Sequence, residues 1–401
     1  MNVKKVNLSK FSAKYMLFSI AYFPWIISWM FTSSYYKDLI HPYGVINIWR
    51  YVGVAFLIAK IFMDKISNCL ILFGKIVIIV VGAIVSSGNG NASFVFYTMI
   101  LIVAAFDLNI KWIIRKTMNC QIVTLILIVI SALCGFIPNN QSISSAGGFI
   151  RYRECLGYTY TTFAPNFLLS ITLEWFYISR YKSRKRMLVQ GILIMLVNIF
   201  FYQRTGTRTS LILITMVVLM KMIRSYKKSY KIKYKFITKN IFVIMAIISV
   251  GISFFYRSSI KWMAMLNSIL SQRLRFAQEG LITWGITSFG TSIIWNSDAV
   301  NYNYIDSSYV NILVCYGIIV FLIVIIGLTI TMHYACKINN KELIFSFVVW
   351  AIRAFVDPQL YLLWFNPFMF YIGAAVLMQL KINKKKAENA EEENAVNYMR
   401  I

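Results

Sequence analysis

The feature that most constrains this chain is the recurrence of apolar runs long enough to cross a bilayer, which takes about 20 mostly apolar residues per helix. Such runs cover Tyr15–Phe31, Val45–Phe62, Cys69–Val85, Ser93–Phe106, Cys120–Ile137 and Ala164–Ile178. Six more follow at Met187–Tyr202, Ser210–Ile223, Ile237–Tyr256, Ser308–Tyr334, Leu343–Val356 and Leu360–Leu380. With 59% of residues hydrophobic and 14% charged, the chain is too apolar for a soluble enzyme and far too apolar for a disordered segment. The expected fold is an all-α integral membrane protein with about twelve transmembrane helices. It forms one polytopic domain over 1–401, with a large extracytoplasmic loop at 257–307 and a hydrophilic cytoplasmic tail at 381–401. The first run follows Lys4, Lys5, Lys10 and Lys14 without a small-residue cleavage site, so it reads as a retained span.

The formal net charge is +27, and its placement decides its meaning. With both termini inside, the inner segments collect 28 basic residues, 23 of them Lys, and the outer segments nine, seven of them Arg. That is a positive-inside pattern, so most of the charge orients the chain and nucleic acid is not an expected partner. The outer residues differ in kind. Arg presents a planar fork of donors that grips phosphate or carboxylate through two bonds, whereas orientation needs only charge. Cysteines lie far apart with no CxxC pair, and His41 and His333 are the only histidines. Neither a metal centre nor a Ser-His-Asp triad is expected, and no cofactor motif is present.

Three outer clusters are candidates for chemistry. The first is Gly147 to Glu154 with Arg151 and Arg153, followed by Gly157 and Pro165-Asn166. The two arginines share a face if the segment is extended, and Pro165 suits the first turn of a helix whose mouth presents Asn166. The second is Arg204 to Ser210, a turn in which Arg204, Arg208, three threonines and a helix N-terminus could hold an anion. The third is the long loop, where Met263, Leu266, Ile269, Leu270 and Leu274 recur at the spacing of an amphipathic helix. Arg273 and Arg275 belong to it, Trp284 with Gly285 and Gly290 reads as the lining of a cleft, and Asp306 stands before the next span either as a helix cap or as a general base. Within the spans, Glu174 lies two turns beyond Asn166 on one face. Arg353 and Asp357 are four apart, so they can pair while Arg353 faces an external cavity.

In order and topology these clusters resemble the O-antigen and capsule repeat-unit polymerases of the Wzy type and their O-antigen ligase relatives. Arg153, Gly157, Pro165 and Asn166 look like the family's R–G–PN loop, Arg204 to Ser210 like its Arg turn, and Gly290 with Asp306 to Gly317 like the segment after its large loop. The resemblance covers roughly residues 150–330. Ligases carry a His near the start of the span after the loop; here Asp306 and Ser307 stand in that region, which disfavours the ligase branch.

The resemblance implies glycosyl transfer between repeat units linked by pyrophosphate to a polyprenol, at the outer face of a bacterial cytoplasmic membrane. It implies partners in the lipid-linked oligosaccharide and the bilayer, together with flippase and chain-length regulator proteins. On this reading Asp306, Arg208 and Arg273 are the catalytic candidates. Arg151, Arg153, Asn166, Arg204, Arg275, Trp284 and Arg353 are the substrate-binding ones, with no metal or cofactor. The alternative is a multi-pass transporter or flippase for a lipid-linked or anionic substrate, for which the sequence shows no two-half repeat.

Overall fold

The computed structural model describes residues 8–64, 69–88, 93–146, 149–179, 184–226, 236–296 and 302–376. The tail at 381–401 therefore lies outside the described residues. Helices α1 (Leu8–Thr32), α2 (Lys37–Ile40), α3 (Pro42–Phe62), α4 (Cys69–Gly88), α5 (Ser93–Ala104) and α6 (Ile110–Leu133) come first. An antiparallel hairpin of β1 (Gln141–Ala146) and β2 (Phe149–Glu154) follows. Next are α7 (Phe163–Ile178), α8 (Arg184–Thr205), α9 (Arg208–Tyr226), α10 (Phe236–Lys239) and α11 (Ile241–Phe254). The chain continues through α12 (Lys261–Ile269), α13 (Arg273–Trp284), α14 (Ser308–Cys315), α15 (Gly317–Lys337) and α16 (Lys341–Arg353), and reaches a 3-10 turn at Pro367–Phe370.

The structure is that of a helical membrane protein. Among the described residues, six segments are long and apolar enough to cross a membrane: Ala13–Thr32, Tyr43–Phe62, Ile71–Gly88, Ile110–Leu133, Arg184–Thr205 and Gly317–Lys337. Phe94–Ala104, Ile241–Phe254 and Pro367–Val376 are apolar but shorter. The bundle exposes Ile48, Phe62, Phe73, Val80, Ile192 and Leu196 at its surface, an apolar coat suited to lipid rather than to water. Inside, Trp25, Tyr22, Phe18 and Tyr97 are buried, with Trp29 stacked on Trp364 at a centroid distance of 4.8 Å.

Several expected runs are reshaped by identifiable contacts. Helix α6 begins at Ile110 rather than near Cys120, because Asn109 caps it by accepting from Trp112 N at 3.3 Å. The run Ser308–Tyr334 is broken between Tyr316 and Gly317, where Gly317 has φ +85°. The orphan N–H groups of Ile318 and Ile319 at the new helix start donate to the carbonyls of Thr287 and Ser288 at 3.0 and 3.3 Å. A Cβ on Gly317 would lie 2.4 Å from Gly290 N, and one on Gly290 2.1 Å from Cys315 O. Gly290 thus serves this backbone contact rather than a cleft. The single amphipathic helix expected in the long loop is two helices, α12 and α13, parted at Ser271 and Gln272, which have φ of 55° and 67°.

The run from Leu360 does not start as a helix. The chain after Arg353 turns without regular structure through Asn366 inside the bundle, so its backbone polar groups need side-chain partners. Gln121 Nε2 donates to Trp364 O at 2.9 Å, and Ser170 Oγ donates to Phe365 O. Asn366 Nδ2 donates to Leu360 O at 2.8 Å, and Ser308 Oγ accepts from Leu360 N at 3.1 Å. This pinned irregular segment is what carries Asp357.

At the end of α1 remote from the hairpin, three lysines meet two aspartates. Lys60 is fully buried and bonds Asp64 at 3.0 Å and Asp107. Lys14 and Lys75 close on Asp64 at 3.2 and 3.0 Å, and Lys14 also reaches Asp107 at 2.5 Å.

Candidate functional site

The site is built at the end of the bundle that carries the hairpin. Alternating side chains in Gln141–Ala146 and Phe149–Glu154 pair Ser142 with Arg153 and Gln141 with Glu154. The extended conformation that would place Arg151 and Arg153 two positions apart on one strand is present; the side chain of Arg151 lies outside the described residues. After β2 the chain returns along the end of α1, with Tyr35 N donating to Gly157 O at 2.9 Å and Thr159 N to Ser33 O at 2.9 Å. Gly157, at φ +81°, is pressed against Ala132, Ile137 and the carbonyl of Ile128, so it is a packing residue.

Arg153 crosses from β2 to the turn between α8 and α9. Its Nε donates to Thr205 O at 2.6 Å and its Nη2 to Thr207 Oγ1 at 3.3 Å. The guanidinium thus sits at the C-terminal end of α8, where the helix dipole favours a cation. It lies over Gly206, whose φ of +63° turns the chain between the two helices. Beside it, Arg204 pairs with Glu154 at 2.7 Å and remains about half exposed.

The first turn of α9 then meets the first turn of α7. Asn166 is buried, accepts from Ser210 Oγ at 3.0 Å and donates to Asp357 Oδ2 at 2.9 Å. Pro165 falls in that first turn, where its missing N–H costs nothing. Arg353, expected to face an external cavity, is only 2% exposed and is held inside by Asp357 Oδ2 at 3.1 Å and Gln359 Oε1 at 2.9 Å. The pairing of Arg353 with Asp357 follows from their spacing of four. Arg353 Nε and Asp357 Oδ1 are both buried without a hydrogen-bond partner among the described residues, so this pair retains capacity for one more donor and one more acceptor.

Arg273 and Asp306 form the second half of the centre, Nε to Oδ2 at 2.8 Å. Asp306 does not cap α14: the N-cap position is Ser307, without a side-chain cap bond, and Ser307 instead bonds Ser249 at 2.7 Å. Two phenols that the sequence reading did not single out, Tyr160 and Tyr302, stand in the field of Asp306 and Arg273. Desolvation first, and then the Asp306 carboxylate, push both above the usual phenol range, so both remain O–H donors at neutral pH. Arg273 also feels Asp357, and Tyr160 feels Arg153. Five elements far apart in sequence thereby converge: three guanidiniums (Arg153, Arg273, Arg353), two carboxylates (Asp306, Asp357), two phenols and the Asn166 amide.

The remaining candidates sit around this centre. Arg208 opens α9 and is exposed, without an ion pair among the described residues. Arg275 points away, half exposed, pairing with Glu279 at 3.4 Å and covering the Phe276 ring. Trp284 ends α13 and meets Trp295 edge-on at 6.2 Å. Glu174 is fully buried lower on α7, with Ser170 Oγ 3.5 Å from its Oε1 and no hydrogen-bond partner for Oε2 among the described residues. Asp357 was legible only as the partner of Arg353. Tyr160 and Tyr302 carried no spacing signal, because each reaches the centre through a turn or a loop.

A centre with one guanidinium in excess of its carboxylates, plus neutral O–H and N–H donors, suits a polyanionic group. A carboxylate within it can take up a proton. No protein-family model, curated protein or solved structure matches this chain.

Proposed function

We propose that the protein is an oligosaccharide repeat-unit polymerase, joining polyprenyl-pyrophosphate-linked units at the outer face of a bacterial cytoplasmic membrane during surface polysaccharide biosynthesis. On this reading the hairpin end faces outward, both termini lie inside, and the three shorter apolar helices together with α7, α9 and α16 complete a set of about twelve spans. The observation that carries the proposal is the convergence of Arg153, Arg273 and Arg353 with Asp306, Tyr160 and Tyr302. An acceptor hydroxyl attacks the anomeric carbon of the donor unit, the bond from that carbon to the pyrophosphate oxygen breaks, and Asp306 receives the hydroxyl proton. The lipid pyrophosphate leaves with its charge held by the guanidiniums and phenols. Fixed donors aimed at developing charge supply the largest share of such catalysis, and a donor already activated by pyrophosphate needs no nucleotide.

The test is purification into nanodiscs with lipid-linked repeat units. A ladder of joined units on a gel supports the polymerase, and its loss in Asp306→Asn with donor binding intact supports the proton transfer. One observation favours a transporter instead: Glu174, a buried carboxyl inside the helix bundle with one oxygen unpartnered among the described residues. Movement of the lipid-linked substrate across the bilayer without bond formation would select that reading.

A further inference from the structure

Beyond the charged centre, the loop between α11 and α14 presents aromatic side chains in a single file. Phe276 meets Tyr302 at 4.8 Å between ring centroids, and Tyr302 meets Tyr304 at 5.3 Å. Tyr304 stacks on Trp295 at 5.2 Å with 15° between planes, and Trp295 meets Trp284 at 6.2 Å. Each ring keeps part of its surface accessible, Tyr304 the most at 37%. The file is preorganised by hydrogen bonds of the Asn303 backbone and side chain. Asn303 N donates to Asn296 O at 3.3 Å, Asn296 N to Asn303 Oδ1 at 2.7 Å, and Asn303 Nδ2 to Ile294 O at 2.9 Å. These bonds set Trp295 and Tyr304 side by side.

We infer that this file is a glycan-binding track, which takes neutral pyranose rings on its aromatic faces and delivers one end of the saccharide to the Arg273–Asp306 centre. Two features separate it from aromatics that merely anchor a protein at a bilayer interface, which face lipid. The rings touch one another in sequence, and Tyr302, next to the Phe276 end of the file, has its phenol in the field of Asp306 and Tyr160. Among the described residues, the neighbouring cations Arg275 and Arg273 are each already paired with a carboxylate. The track therefore offers flat apolar faces edged by amide and hydroxyl groups, the chemistry of a sugar ring with its C–H face and equatorial hydroxyls, and not that of an anion. The inference rests on the polymerase reading for the origin of the saccharide but not for its binding.

The test uses the full chain in nanodiscs, titrated with short soluble gluco-, galacto- and chito-oligosaccharides while the heat of binding is followed by titration calorimetry. Saturable binding is expected. It should weaken by about tenfold or more in Trp295→Ala and survive in Trp295→Phe, which keeps a ring. Trp262→Ala, outside the file and exposed, should bind as the parent does. If Trp295→Ala is itself destabilised, Tyr304→Leu against Tyr304→Phe decides by the same criterion. No response to any of the saccharides, or equal binding by the folded alanine or leucine variant, overturns the inference. Saccharide binding without polymer formation would leave the track standing and sink the polymerase; polymer without binding would do the reverse.

Discussion

The buried pair Arg353–Asp357 gives a quantitative test of how the centre is held. Arg353 is 2% exposed, and its Nη2 lies 3.1 Å from Asp357 Oδ2. At that distance the attraction in a medium of effective dielectric 20 is about 5 kcal/mol, largely offset by the cost of removing both charges from water. Removing only one partner leaves the other charge buried and uncompensated, which costs about 3–5 kcal/mol. Arg353→Met leaves Asp357 with the Asn166 amide, and Asp357→Leu leaves Arg353 with Gln359. Each single variant should unfold at a clearly lower temperature in detergent. The double variant, Arg353→Met with Asp357→Leu, should recover most of the loss, because it removes both desolvation penalties together. The assay is thermal unfolding of the four proteins, read as a double-mutant cycle. Single variants as stable as the parent, or a double variant whose loss is the sum of the two single losses, would refute the coupling.

Other outcomes follow from the same geometry. Gly290→Ala places a Cβ 2.1 Å from Cys315 O at φ +87°, so a left-handed strain of about 1–2 kcal/mol adds to a backbone clash; a Tm equal to that of the parent would contradict the contact. Burial alone would raise the Asp107 carboxyl, but Lys60 and Lys14 hold it down at about 2. A carboxyl depressed below its unfolded value stabilises above that value and loses its contribution as the pH falls, here from about 4 toward 2. Asp107→Asn should flatten acid unfolding across that window, by about 2 kcal/mol. Arg153→Lys should keep a positive charge but lose the paired bonds to Thr205 and Thr207, which on the proposed polymerase function lowers chain elongation at least about tenfold; full-length polymer from this variant would remove Arg153 from the site.

What was legible in the sequence was whatever depends on local pattern. Apolar runs located α1, α3, α4 and α8, because continuous hydrophobicity needs no partner to be read. Asn166 and the Arg204–Ser210 turn were legible because Pro165 and Gly206 mark a helix start and a turn by their own backbone chemistry. The break at Gly317 was not, since it is stabilised by carbonyls of Thr287 and Ser288 about thirty residues upstream. The burial of Arg353 was not, since it depends on an irregular segment pinned by Gln121, Ser170 and Ser308 from three other helices. The role of Asp306 was left open between cap and base by its position, and Arg273, thirty-three residues earlier, removes the cap.

The lysine–aspartate knot at the far end of α1 bears on the order in which the chain can be assembled in a bilayer. Lys60 ends up fully buried, yet the segments that supply Asp107 and Lys75 are synthesised after it. A lone ammonium waiting in lipid for a later partner would oppose insertion. Asp64, one turn further along at 3.0 Å, travels with Lys60, and Lys14 on the preceding helix can join it at once. Lys60 can therefore enter with its charge already offset by Asp64, and α4 and the α5–α6 link close onto the pair as they emerge. Asp64→Asn should on this account be felt during biogenesis, as degraded nascent protein, more than in the finished fold.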